Sequence, residues 1–183
     1  MKKENTVFYV LRLSVTLLLI TGIVAAALAG VNAITAPIIA RINAQKTQDA
    51  INAVLPGGGS PVTEYTDETG LVTAVYVSET GYAIQVTPSG FNGAIDMMVG
   101  IDKEGKVLNV SIISHTETAG LGAVAAANNA AGEGFRGSFA GQSGVLQVSK
   151  DGGTVDTITG ATITSRAVTE GVNAALACAA NLD

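Results

Sequence analysis

The chain has 183 residues, of which 48% are hydrophobic and only 14% are charged, and its net charge is −5. A typical soluble domain carries about 25% charged residues, so this is neither a disordered chain nor an ordinary soluble domain. One cysteine and one histidine exclude an intrachain disulfide, a cysteine-based zinc site, an iron–sulfur cluster held by this chain alone and a multi-histidine metal centre. The acidic balance argues against nucleic-acid binding.

The first predicted element is an apolar helix long enough to cross a membrane. Residues 13–40 contain no charged side chain. A helix of that length extends about 42 Å, whereas the core of a bilayer needs about 30 Å. Lys2, Lys3 and Arg12 stand at its N-terminal side against a single acid, Glu4. This bias predicts that residues 1–40 are a cytoplasmic N-terminus and a transmembrane helix, with the remainder of the chain outside the cytoplasm.

A removed signal peptide is the alternative for this segment, because Ala27-Leu28-Ala29 resembles a cleavage site. The apolar run nevertheless continues beyond that tripeptide through Val31, Ile34 and Ile38 with no polar gap. Its length favours a retained single-span anchor in the cytoplasmic membrane, and Pro37 is expected to bend the helix.

Residues 41–61 are predicted to be a connecting helix and linker. A loosely helical apolar pattern runs to Leu55, and the Pro- and Gly-rich segment 56–61 then breaks the helix. Residues 62–183 form the predicted extracytoplasmic domain. Residues 42–183 hold six basic and 14 acidic side chains, and therefore a net charge of −8, which suits a solvated domain.

Strand and helix patterns in this domain predict an α+β fold, a small and mostly antiparallel sheet with helices on one side. Four segments are strand-like, residues 72–77, 82–87, 95–101 and 108–112. Alternation in the last two predicts one buried face each. A short fifth strand is expected at 145–148 and an alanine-rich helix at 121–131.

The last element is predicted to be an amphipathic helix. Four apolar side chains recur on one stripe, at Val168, Val172, Leu176 and Ala179. On the opposite face Arg166 and Glu170 are spaced to form an ion pair. Cys178 adjoins the stripe and is expected to be a small buried hydrophobe rather than a reactive thiol.

Residues 156–165, with the sequence DTITGATITS, lead directly into this helix. Half of them carry hydroxyls, and the helix start offers free N–H groups and the positive end of a dipole, which together suit a phosphate. The alternative is purely structural, with Thr164 or Ser165 capping the helix and the other hydroxyls filling turns.

A second polar segment, residues 114–122, has the sequence SHTETAGLG and lies between a predicted strand and a predicted helix. It places His115, the only histidine, close to Glu117 and to two glycines. A structural turn is again the alternative, since one histidine makes no persuasive nucleophilic triad. Neither a dinucleotide-binding nor a Walker-type glycine motif occurs in the sequence.

Together the two segments resemble the FMN-binding domain family. Thr159-Gly160-Ala161-Thr162 matches its Ser/Thr-Gly-Ala-Thr signature, with Asp156 at the upstream acidic position. Residues 115–122 resemble its His-x-Glu-Thr-Pro-Gly-Leu-Gly segment, with Ala119 in place of Pro. The resemblance implies FMN joined covalently to Thr162 by a phosphoester, which a separate flavin transferase forms from FAD.

The resemblance also implies the composition of the flavin site. Besides Thr162, the residues expected around the phosphate are Thr159, Gly160, Ala161, Thr164 and Ser165. Those expected along the flavin ring are His115, Glu117, Thr118, Gly120, Leu121 and Gly122. It implies neither a catalytic acid–base residue nor a metal ligand.

Within this family the layout resembles the G subunit of the Rnf complex, an ion-translocating ferredoxin:NAD⁺ oxidoreductase, and the C subunit of the Na⁺-translocating NADH:quinone reductase, which is usually longer. The first resemblance implies an electron-transfer subunit, an enzyme only as part of an ion-translocating oxidoreductase, whose partners are the other membrane subunits, the flavin transferase and the lipid bilayer. A stand-alone extracytoplasmic flavin reductase and a non-enzymatic pilus-like subunit are the alternatives from other classes.

Overall fold

The computed structural model describes residues 4–182 of the chain, with side chains from Val7 onward. The chain forms two compact units, one that ends at Gln45 and one that begins at Lys46. The domain boundaries predicted from the sequence, 1–40, 41–61 and 62–183, stay a prediction.

Helix α1 spans Glu4–Val54 and continues through Pro37. Over Val7–Val54 it is long and apolar enough to cross a membrane, and its large apolar side chains up to Ile42 are exposed. The hydroxyls of Ser14, Thr16 and Thr35 donate to carbonyls one turn earlier in the helix. These bonds satisfy the hydroxyls within the helix, as a hydrocarbon environment requires.

The second unit contains an antiparallel sheet of five strands that lie side by side in chain order. The strands are β1 (Ser60–Val62), β2 (Val72–Val77), β3 (Gly81–Val86), β4 (Ile95–Asp102) and β5 (Val107–His115). The four strand-like segments of the sequence are thereby confirmed, and β5 extends three residues beyond its predicted end.

Strand β1 lies where the sequence predicted a linker, and it pairs with β2 from Ser60 opposite Val77 to Val62 opposite Val75. Pro61 is tolerated because β1 is an edge strand, where one N–H is not needed for pairing. The fifth strand expected at 145–148 is wrong, since Val148 makes only a single bridge to Val155.

Two helices and two short 3₁₀ segments complete the described part of this unit. The 3₁₀ segments are Gly122–Ala126 and Ser149–Asp151, and the helices are α2 (Ala130–Gly137) and α3 (Thr162–Ala179). The continuous helix expected at 121–131 is therefore wrong. Ala127 is extended, and Asn129 starts α2 anew by accepting a hydrogen bond from the Gly132 N–H.

Helix α3 covers one face of the sheet with the apolar stripe predicted for it. Val168 and Val172 are fully buried and share one core with Ile84, Met97 and Val99 of the central strands. Cys178 belongs to the same core, as predicted.

Burial raises the pKa of the Cys178 thiol, and the negative charge of Asp67 raises it further. A raised pKa keeps a thiol protonated and unreactive. Cys178 is therefore a packing residue.

The other face of the sheet is covered by the end of α1. Helices therefore lie on both sides of the sheet, and the prediction that they lie on only one side is wrong. Ile51 and Leu55 pack against Ala83 and Met98. Strand β4 is consequently buried on both faces rather than on one. The Asn109 side chain of β5 also donates to the Ala53 carbonyl, 3.0 Å away, and fixes the helix end against the sheet.

Gly100 of β4 permits this close packing. A Cβ at this position would collide with the carbonyl of Val54. Because overpacking at a buried backbone contact forces the backbone apart, Gly100→Ala should lower the free energy of unfolding by about 1–3 kcal/mol.

Thermal unfolding of the full-length chain in detergent would measure this loss. Gly134→Ala is the matched control, since a Cβ there meets open space on α2 and alanine favours a helix. Equal melting temperatures for the two variants would contradict the packing described here.

Candidate functional site

A hydrogen bond joins the two polar segments of the sequence, residues 114–122 and 156–165. The Thr164 hydroxyl in the first turn of α3 donates to Glu117 Oε2 over 2.5 Å. The backbone N–H of Asn92 donates to the other oxygen, Oε1, at 2.9 Å. Glu117 is only 8% exposed, and a buried carboxylate is tolerated only when its oxygens are bonded in this way. It therefore joins the loop before β4, the loop after β5 and the start of α3.

Two glycines make room for this carboxylate. A Cβ at Gly122 would collide with Glu117 Oε2 and would lie 2.5 Å from the Thr164 hydroxyl oxygen. A Cβ at Gly90 would lie 2.5 Å from Glu117 Oε1. Both distances are far below van der Waals contact, so the position of the Glu117 side chain depends on glycine at both sites.

A cavity of about 300 Å³ opens beside the joined segments, within the size range of small-molecule sites. Its lining combines large apolar side chains, hydroxyls and small residues: Phe91, Glu117, Thr118, Leu121, Gly122, Gly160, Ala161, Thr162, Ile163 and Thr164. Phe91, Leu121 and Ile163 are 67%, 45% and 51% exposed. The cavity thus offers an open apolar surface next to hydroxyl groups.

Eight of the twelve residues predicted for the site line this cavity, which therefore contains residues of both segments. His115, Gly120, Thr159 and Ser165 are not among its lining residues. His115 instead accepts a hydrogen bond at Nδ1 from the Glu117 N–H, and Gly120 has a positive φ of 76° in the loop. A role for all twelve in binding a flavin stays a prediction.

The start of α3 is shaped by its backbone and has no side-chain cap among the described residues. Gly160 takes a positive φ of 78°, and Ala161 occupies the N-cap position. The structural alternative, in which Thr164 or Ser165 caps the helix, is therefore wrong in this respect. Ser165 is buried, donates to the Ala161 carbonyl and accepts from the Ile158 N–H, so it fixes the turn instead. Within the described part of the chain, no side chain caps the first N–H groups of α3, which leaves them for an outside acceptor.

Three further residues at the site were missed by the sequence analysis. Phe91 and Ile163 line the cavity, and Lys150 Nζ donates to Thr162 Oγ1 over 3.0 Å. Ile163 could have been noticed as a large apolar residue within segment 156–165, whereas Phe91 lies in the loop before β4, outside both polar segments. Lys150 lies 12 positions before Thr162, a spacing that corresponds to no helical or strand period.

The Arg166 side chain also departs from its predicted partner. It forms a two-point ion pair with Asp151, at 2.6 and 2.7 Å, rather than with Glu170. The hydrogen bonds from Arg166 lower the pKa of the Asp151 carboxyl. Arg166 is thus engaged by Asp151, and among the residues that the structure describes Lys150 is the cation that contacts Thr162.

Thr162 itself is half-buried at the first position of α3. Its hydroxyl faces the lysine, and the residue borders the cavity. A nucleophilic oxygen, helix N–H groups and a cation are thus present at one point, a combination that suits a phosphate ester.

A second cavity of about 300 Å³ lies at the other end of α3, among residues that include Tyr82, Val145, Leu176 and Ala180. Within the described chain, it is lined by none of the residues predicted for the site. Because eight of the residues predicted for the site line it, the cavity beside Thr162 is the candidate functional site.

Comparison with known proteins matches residues 90–177 to a family described as FMN-binding domain. The matched segment begins at Gly90, which contacts Glu117, and includes nearly all of α3. It therefore contains the whole lining of the cavity beside Thr162.

The chain is 34% identical over 180 residues to the G subunit of the proton-translocating ferredoxin:NAD⁺ oxidoreductase complex of Clostridium ljungdahlii, with 96% of this chain and 92% of the relative covered. It is 32% identical to the G subunit of the Na⁺-translocating ferredoxin:NAD⁺ oxidoreductase complex of Acetobacterium woodii, with 94% and 93% covered. The G subunit of the ion-translocating oxidoreductase complex of Pseudomonas aeruginosa is 41% identical over 92 residues, 49% of this chain and 43% of the relative.

The long apolar helix and these relationships together support a membrane protein. The similarity to the first two relatives extends along almost the entire chain, and it includes the FMN-binding domain in which the candidate site lies. The chain therefore belongs to the G-subunit family of ion-translocating ferredoxin:NAD⁺ oxidoreductase complexes and carries an FMN-binding domain.

Proposed function

We propose that the chain is the electron-carrying flavoprotein subunit of a membrane-bound, ion-translocating ferredoxin:NAD⁺ oxidoreductase, with FMN joined to Thr162 by a phosphoester. The observation that carries this proposal is the cavity beside Thr162, in which an apolar surface, a hydroxyl and an uncapped helix start lie together. Nearly full-length similarity to the G subunits of such complexes supports the complex as its setting.

The residues of the cavity fit the flavin ring. Phe91, Leu121 and Ile163 present apolar surface, and a Cβ at Gly160 would come within 3.1 Å of the Leu121 side chain and narrow the space. A bound flavin supplies the redox chemistry. The protein's part is to hold the ring in a shallow site that a neighbouring electron carrier can approach.

The residues at the start of α3 fit the phosphate. The hydroxyl of Thr162 supplies the ester oxygen, and the free N–H groups of the first turn favour a negative charge. A covalent link compensates for the openness of the cavity, because a tethered group keeps a high effective concentration at its site. An electron carrier can therefore keep its flavin in an open site, because the covalent link prevents its loss.

The proposed partners are the other membrane subunits of the complex and a flavin transferase that attaches the flavin. The chain holds the cofactor near these subunits through its apolar helix. The charge bias at the N-terminus supports an orientation with the FMN-binding domain on the extracytoplasmic side.

Thr162→Val should abolish covalent flavin while the protein still folds. Valine removes the hydroxyl and nearly keeps the shape of threonine at a half-buried position, so the change in stability should be small. On a denaturing gel the wild-type band should fluoresce, and peptide mass mapping should place the mass of FMN less one water on Thr162.

Thr73→Val is the matched control for this experiment, since Thr73 is an exposed threonine on strand β2, lies outside the lining of the cavity and should not affect the fluorescence when replaced. A fluorescent Thr162→Val protein, or flavin mapped to Thr164, would overturn the assignment of the attachment site.

Deleting the chain from its host should abolish ferredoxin-dependent NAD⁺ reduction by isolated membranes. Expression of the wild-type chain in the deletion strain should restore this activity, whereas Thr162→Val expressed at the same level should not. Unchanged activity in the deletion strain would refute the role in electron transfer.

The orientation is tested with reporters fused to either end of the chain. A reporter active only in the cytoplasm should give no signal after residue 183 and full signal before residue 1. The opposite pattern would show that the positive residues at the N-terminus do not set the topology.

A further inference from the structure

We infer that Lys150 is a positioning residue for the attachment of the flavin, which orients the Thr162 hydroxyl and neutralises charge on the phosphate. This inference rests on the proposed function, because it concerns how the phosphoester at Thr162 forms.

The contact between the two side chains fixes the direction of the hydrogen bond. An ammonium group has only donors, so Thr162 Oγ1 accepts the hydrogen bond from Lys150 Nζ at 3.0 Å. The hydroxyl's own hydrogen is therefore directed away from the lysine and is available for removal. Lys150 thereby excludes the orientations in which the hydroxyl hydrogen of Thr162 points toward the ammonium group.

The backbone around Lys150 is held against the segment that leads into α3. Its neighbour Ser149 shares a hydrogen bond of 2.9 Å with the Thr157 hydroxyl, and its other neighbour Asp151 forms the ion pair with Arg166. The lysine is exposed, but both flanking residues are tied to α3 or to the segment that leads into it. This arrangement limits the positions that the ammonium group reaches.

The surrounding charges explain why a lysine is needed there. Glu117 lines the same cavity and repels a phosphate. The other basic side chain beside the start of α3, Arg166, is bound to Asp151, and Arg136 donates instead to the Ala125 and Ala127 carbonyls. Among the described residues, Lys150 is thus the cation in contact with the attachment site.

The attachment step uses FAD as the donor. The oxygen of the Thr162 hydroxyl forms a bond to the phosphorus on the flavin side of the dinucleotide. The bond from this phosphorus to the bridging oxygen of the pyrophosphate breaks, and AMP leaves with the electron pair. The hydroxyl proton passes to a base of the transferase or to water. Negative charge develops on the phosphoryl oxygens next to Thr162, where the Lys150 ammonium stabilises it.

The test measures the initial rate of flavin incorporation into the full-length chain in detergent, with purified flavin transferase and FAD, by in-gel fluorescence. Lys150→Met should slow incorporation about tenfold, the effect of losing a charge-assisted hydrogen bond in the transition state. Lys150→Arg should restore most of the rate, because it returns the charge. Lys106→Met is the matched control, since it removes the same charge from a site beside a turn outside the cavity and should keep the wild-type rate.

The dependence of the incorporation rate on ionic strength is a second measurement. A residue with a purely structural role would not change this dependence. The wild-type rate should fall more steeply with ionic strength than the Lys150→Met rate, because only the former contains the attraction that salt screens. Circular dichroism before the reaction should be identical for all four proteins.

The outcomes separate this inference from the proposed function. A wild-type chain without flavin fluorescence, or flavin fluorescence on Thr162→Val, overturns the phosphoester linkage to Thr162. Either result also overturns the role of Lys150. Fluorescent wild type with equal rates for Lys150→Met and Lys106→Met overturns the role of Lys150 alone. A slow Lys150→Arg variant that matches Lys150→Met also overturns it, because the charge would then have no effect.

Discussion

The site depends on a single buried carboxylate, that of Glu117, and on the requirement that both of its oxygens be satisfied. Removing a charged group from water is costly unless hydrogen bonds replace the lost hydration. The Asn92 N–H and the Thr164 hydroxyl provide those bonds from opposite sides. Two chain segments 47 residues apart are thereby held at one place, and the cavity is the space between them. Gly90 and Gly122 are part of the same constraint, since a larger residue at either would displace the carboxylate.

The strands and the final helix could be predicted from the sequence because their signal is local. Alternation and β-branched residues located β2 to β5, and a 3.6-residue period located α3. The second buried face of β4 could not be predicted in this way, since Asp96 made that face look polar. Its cover, the end of α1, is distant in sequence from the strand. Strand β1 was hidden by the proline and glycines around it, although an edge strand tolerates such residues.

The sequence predicted those residues of the site that lie within its two motifs. Thr162 and seven neighbours in the two segments do line one cavity, but what each side chain does was beyond the sequence. Thr164 looked like a cap because its partner, Glu117, lies on a different element. Arg166 was assigned to Glu170 by helical spacing, whereas Asp151 binds it from a short 3₁₀ segment. No motif or periodic spacing in the sequence connects Lys150 with Thr162. In each case the missing information was a contact between elements that are separated in sequence.

The packing of α1 on the sheet has a consequence for any attempt to prepare the FMN-binding domain without its membrane helix. The Gly-rich segment after Leu55 looks like a natural place to cut, yet a fragment that starts there loses Ile51 and Leu55 and leaves Ala83 and Met98 exposed to water. Such a fragment presents a bare apolar sheet face and is prone to aggregate. A soluble fragment should instead begin near Lys46, where the second unit starts, so that the last turns of the helix still cover this face of the sheet.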